Sequence, residues 1–112
     1  MGSFDLNGKT YETDNEGFIL NREDWTDAVA EYIAEQDGVK LTDGHWEIIY
    51  FLRRFYKEFG ISPMVKLLVK HLKNEVGEEK ADKDYLYTLF PKGPSKQGSK
   101  IAGLPKPPGC ID

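Results

Sequence analysis

At 112 residues, with 39% hydrophobic and 12% aromatic side chains, the chain has room for one domain with a modest core and is too apolar to be a disordered chain. There is no apolar run of bilayer length, and the N-terminus lacks the basic and apolar regions of a signal peptide, so a cytoplasmic protein without direct membrane contact is expected. The net charge of −4 is uneven: residues 92–112 carry four lysines against Asp112 alone, so an acidic body bears a basic end.

Residues 3–20 predict a small sheet. Phe4 and Leu6 precede Asn7-Gly8, a dipeptide that tolerates positive φ in a tight turn, and Thr10 and Tyr11 follow. A second turn through Asp14–Gly17 leads to Phe18-Ile19-Leu20, so the expectation is a hairpin or a three-stranded meander. After Asn21 the period becomes helical, with Trp25, Val29, Tyr32 and Ile33 on one face, acids in the first turn and Gly38 as the stop. A second helix follows Thr42 and runs through Trp46, Ile49 and Leu52 to Gly60; its apolar circumference marks it as central. Its capping box is incomplete, because His45 stands where Glu or Gln is usual.

Ser62-Pro63 reads as an N-cap followed by proline at the first helical position, opening a third helix that ends at Gly77. A fourth covers Asp82 to Phe90 and stops at Pro91, and Ser95 is the expected cap of a last helix reaching Ala102, with Gly103 as its stop. The architecture expected is therefore α+β: a hairpin or meander on a bundle of about five helices, with 1–91 as globular body and 92–112 as a last helix plus a Pro/Gly-rich arm.

Few known chemistries have a foothold. His45 and His71 fall on different helices with no cysteine near them in sequence, which gives a metal no ligand spacing. No phosphate-binding glycine loop or nucleophile elbow occurs, and Glu78-Glu79 reads as solvated. The joint at Gly60 also permits a helix-turn-helix reading, a DNA-binding or adaptor module, which the acidic body opposes. What remains is the one cysteine, Cys110, closing the run Gly103-Leu-Pro-Lys-Pro-Pro-Gly-Cys110. It cannot close an internal disulfide, and Lys106 and Lys100 upstream favour its thiolate if the arm brings them near. The prolines bias the arm towards polyproline II and away from the body, with Gly103 and Gly109 as candidate hinges.

The segment from Asp84 to Cys110, with Pro91-Lys-Gly-Pro-Ser-Lys and the cysteine-terminated arm, resembles the C-terminal signature of the DsrC/TusE family of sulfur-carrier proteins. Thr13-Asp14, Gly17-Phe18, the Trp25 segment, Leu41-Thr42, His45-Trp46 and Ser62-Pro63 extend the likeness over nearly the whole chain. The resemblance implies a DsrC-like fold with a flexible arm, and a sulfurtransferase that carries persulfide sulfur on Cys110 without metal or organic cofactor. In the DsrC branch a second arm cysteine pairs with the terminal one; Ser99 matches that position here and cannot do the redox step. The likeness is therefore greater to the TusE branch, which implies a TusBCD- or DsrEFH-type sulfur donor and an MnmA-type tRNA thiouridylase as acceptor, with nucleic acid met only indirectly. A DsrC-like paralogue serving the sulfite reductase DsrAB is the alternative. Ile111-Asp112 departs from the usual penultimate cysteine and sets a carboxylate beside the thiol.

Overall fold

The structure is a computed structural model and describes residues 2–75, 77 and 81–107. Strands β1 (Gly2–Leu6) and β2 (Lys9–Thr13) pair antiparallel with Phe4 opposite Tyr11 and Leu6 opposite Lys9. Asn7 and Gly8 take φ of 52° and 83°, the left-handed pair that a two-residue hairpin with the natural strand twist needs. Ile19 adds one bridge to Thr13, flanked by the Asp14 amide donating to Phe18 and the Leu20 amide to Glu12, so the third strand of a meander is reduced to a single bridge. Phe4 stacks on Tyr11 at 5.1 Å and on Tyr32 at 4.4 Å, which fastens the hairpin to the first helix.

Helix α1 (Asp27–Gln36) begins later than the periodicity predicts, because two caps compete for its start. The Asn21 side chain accepts from the Glu23 amide and closes a separate 3-10 turn over Arg22–Asp24. Thr26 then provides the N-cap, accepting from the Val29 amide at 3.3 Å. Trp25 lies between the two turns, outside the helix whose face it was expected to share.

Helix α2 (Asp43–Phe59) is the central element, with Ile48, Ile49 and Leu52 fully buried. Its capping box is complete after all, with an imidazole in place of a carboxylate. His45 Nδ1 accepts from the Thr42 amide at 3.1 Å, and Nε2 sits 2.7 Å from the Leu89 carbonyl oxygen. An amide can only donate and a carbonyl only accept, so the ring is neutral with its proton on Nε2, tying the start of α2 to the end of α4.

Helices α3 (Val65–Glu75), α4 (Lys83–Leu89) and α5 (Lys96–Ile101) complete the bundle. The core combines Val29 and Ile33 of α1 with Leu52 of α2, Leu68 and Leu72 of α3, Leu86 of α4 and Ile101 of α5. Although α5 is short, it lies against both α1 and α2, and Gly98, Ser99 and Ile101 are buried. Among the described residues no helix is long and apolar enough to cross a membrane.

Candidate functional site: the root of the C-terminal arm

Cys110 and Gly109 lie outside the described residues, as do Ile111 and Asp112; the structure gives the platform from which the arm departs, Ser95 to Pro107. That platform starts with the end of α5. The Leu104 amide donates to the Ser99 carbonyl at 2.9 Å and the Gly103 amide to the Lys100 carbonyl at 3.2 Å. These are the two bonds of a Schellman motif, which requires a left-handed residue at Gly103, where φ is 73°. Trp25 closes over the same glycine: a Cβ there would lie 2.4 Å from the Trp25 ring. Gly103, a hinge candidate by sequence, is thus held on both sides, and Leu104 beyond it is 1% exposed.

Three side chains from other elements fix this segment by its backbone carbonyls, and one of its own side chains bonds outward. Trp25 Nε1 donates to the Ile101 oxygen at 2.8 Å, and Arg53 donates to the Ala102 oxygen at 2.6 Å while stacking 4.1 Å over the Trp25 ring. Ser62 Oγ donates to the Pro105 oxygen at 2.7 Å, and Ser95 Oγ donates to the Pro63 oxygen at 2.5 Å. Neither serine caps a helix with its side chain; both stitch the α2–α3 turn to the two ends of the α5 segment. Through Pro107, which is buried, the arm therefore lies on the body instead of projecting from it as its prolines suggested.

Both lysines expected near the thiol are engaged elsewhere. Lys100 Nζ lies 3.1 Å from an Asp37 oxygen, and Lys106 Nζ lies 2.5 Å from Glu16, which Lys96 also approaches at 3.5 Å. The hydrogen bond from Lys106, aided by the nearby charges of Lys106 and Lys96, holds the Glu16 carboxyl below its ordinary value of 4.5. Ser99 is fully buried and its hydroxyl has no hydrogen-bond partner among the described residues. That environment suits a thiol, a weak hydrogen bonder, better than a hydroxyl.

His71, expected as a packing residue, stands edge-on to Phe55 at 5.0 Å and beside Phe59 at 5.4 Å. The tethers at Trp25, Arg53, Ser62 and Ser95 escaped the sequence reading. Their partners are backbone oxygens 32 to 76 positions away, and no local pattern encodes such a bond.

A small hairpin on a helical bundle, ending in a cysteine-bearing segment rooted by a buried short helix, defines a protein class, and the chain belongs to it: residues 5–111 match the family model "DsrC like protein". The particular relatives are sulfurtransferases. Sulfurtransferase TusE of Yersinia pseudotuberculosis is 50% identical over 107 residues, covering 96% of this chain and 99% of the relative. That of Escherichia coli K12 is 52% identical over 104 residues, covering 93% and 95%. Among solved structures, DsrC of Allochromatium vinosum superposes with a TM-score of 0.88 at 46% identity, covering 97% of each chain. The oxidised gamma-subunit of dissimilatory sulfite reductase (DsrC) from Archaeoglobus fulgidus gives 0.85 at 40%, covering 98% of this chain and all of that one.

Proposed function

We propose that this chain is a sulfur-relay protein of tRNA thiolation, taking a persulfide sulfur from a TusBCD-type donor onto Cys110 and passing it to an MnmA-type thiouridylase. The likeness to TusE sulfurtransferases over nearly the full chain carries this reading. The presence of one cysteine supports it further, since Ser99 stands where a DsrC-type redox pair would need a second thiol. The helix-turn-helix reading and the sulfite-reductase paralogue are not favoured beside relatives of that name and identity.

In the loading step the Cys110 thiolate attacks the outer sulfur of the donor's persulfide. A new S–S bond forms to Cys110, the donor's S–S bond breaks, and the donor departs as a thiolate. Delivery repeats the exchange with Cys110 as the leaving thiolate, so the sulfur moves at constant oxidation level and no cofactor enters. The root's part is positional. With residues 101–105 fixed by three tethers, the thiol's reach is set by the five residues beyond Pro105, about 17 Å at full extension. Lys100 and Lys106 serve that root through Asp37 and Glu16; these pairings weaken the electrostatic help to the thiol read from the sequence.

The test is reconstitution with donor, thiouridylase and tRNA, read as 2-thiouridine in digested tRNA. The parent chain supports its formation and Cys110→Ser does not; equal yields from the two would sink the proposal.

A further inference from the structure

Beside the root runs a groove of about 820 Å³ whose lining includes Arg22, Arg53, Arg54, Lys57 and Leu104, with Glu23 as its only carboxylate. On a chain of net charge −4 this is a concentration of positive charge. Arg54 is paired with Glu75, but Arg22 and Arg53 have no carboxylate partner among the described residues. Instead Arg22 stacks over Tyr56 at 4.9 Å and Arg53 over Trp25 at 4.1 Å. Burial, and then the neighbouring charge of Arg22, pushes the Arg53 guanidinium below its ordinary value, so a bound anion would relieve a repulsion already present.

The groove ends at Gly60, and the next residues are apolar and open to solvent: Ile61 is 45% exposed and Met64 41%, with Phe59 before them at 49%. Three large apolar side chains are thus exposed within six positions of one turn, where isolated ones would need no explanation. Groove and turn both hold the arm's root: Arg53 and Leu104 from the groove side, Ser62 through Pro105 from the turn.

We propose that this groove and the Phe59–Met64 turn together form the docking face for the persulfide-donor protein, recognised as a surface that presents carboxylates around an apolar contact. The inference rests on the sulfur-relay reading. Charge complementarity defines the occupant: Arg22, Arg53 and Lys57 call for carboxylates, which a donor that binds no nucleic acid is free to present. The site also suits the task, because a partner seated there lies against residues 102–105, whose chain leads directly to Cys110.

The experiment titrates the donor complex, loaded with persulfide, against the parent chain, Arg22→Glu/Lys57→Glu and Ile61→Ser/Met64→Ser, reading sulfur on Cys110 by intact mass. Glutathione persulfide, which needs no docking, is run in parallel. Both exposed-face variants should need about tenfold more donor for half-maximal loading while keeping the parent's plateau and its rate with glutathione persulfide. The defect of the charge variant should shrink at high salt and that of the apolar variant should persist. Unchanged donor titrations, or a defect seen only in onward transfer to the tRNA-thiolating enzyme, overturn the docking face and leave the relay intact. A parent chain that neither persulfide source loads overturns both.

Discussion

The two terminal segments of the molecule are held by opposite means. The hairpin at the N-terminus rests on the body by ring stacking, Phe4 between Tyr11 and Tyr32, with most of its other side chains exposed. The segment before the C-terminal arm is held by directional hydrogen bonds to its carbonyls from Trp25, Arg53 and Ser62, beneath a buried Leu104. Stacking tolerates sliding, whereas a set of hydrogen bonds from three elements fixes position and direction. The contrast teaches where accuracy is needed: at the root of the segment that bears the thiol on which the proposed relay depends.

Substitutions can break this comparison. The largest effect is expected from Gly103→Ala, which combines a left-handed backbone with a Cβ driven into the Trp25 ring. A loss of about 3 kcal/mol is expected in denaturant unfolding; an unchanged midpoint would mean the root is looser than its geometry. Next come Trp25→Phe and Phe4→Ala, one for each segment. Trp25→Phe leaves the Ile101 carbonyl without its donor and should cost about 2 kcal/mol, and its signature is faster hydrogen exchange at the Gly103 and Leu104 amides. Phe4→Ala should cost a similar amount through lost stacking and burial, yet leave exchange at those two amides as in the parent.

Three serines sharpen the contrast within the root. Ser62→Ala and Ser95→Ala each remove a bond to a carbonyl and should each destabilise by about 1 kcal/mol. Ser99→Ala removes a buried hydroxyl that has no partner among the described residues, inside a helix where Ala is favoured. It should be neutral or stabilise by about 0.5 kcal/mol; equal losses at all three positions would contradict the hydrogen-bond assignment.

The smallest effect concerns pH. The Glu16 carboxyl titrates below 4.5 in the folded chain, so its pairing contributes stability that is present above that value and lost as pH falls through the folded one. The stability gap between the parent and Glu16→Gln should therefore close in that acid window and stay constant from pH 5 to 7. A gap that persists at low pH would show that Lys106 does not depend on the Glu16 charge.

How much of this was legible in the sequence follows from the range of each interaction. Asn7-Gly8, Gly60 and Gly103 act on their immediate neighbours, and the turns and stops they announce are where the sequence placed them. Ser62 and Ser95 were misread because serine before a helix normally caps it, and only the folded chain reveals carbonyls 43 and 32 positions away that compete for the hydroxyl. His45 was read as a fault in a capping box because the rule names carboxylates and amides, although an imidazole nitrogen accepts the same amide. Cys110 is a candidate from composition and position alone, and it lies outside the described residues.

The most direct measurement is the intact mass of the parent chain and of Cys110→Ser after incubation with a persulfide donor. The account predicts one added sulfur on the parent, removed by a reducing thiol, and none on the variant. Equal uptake by the two chains would contradict it.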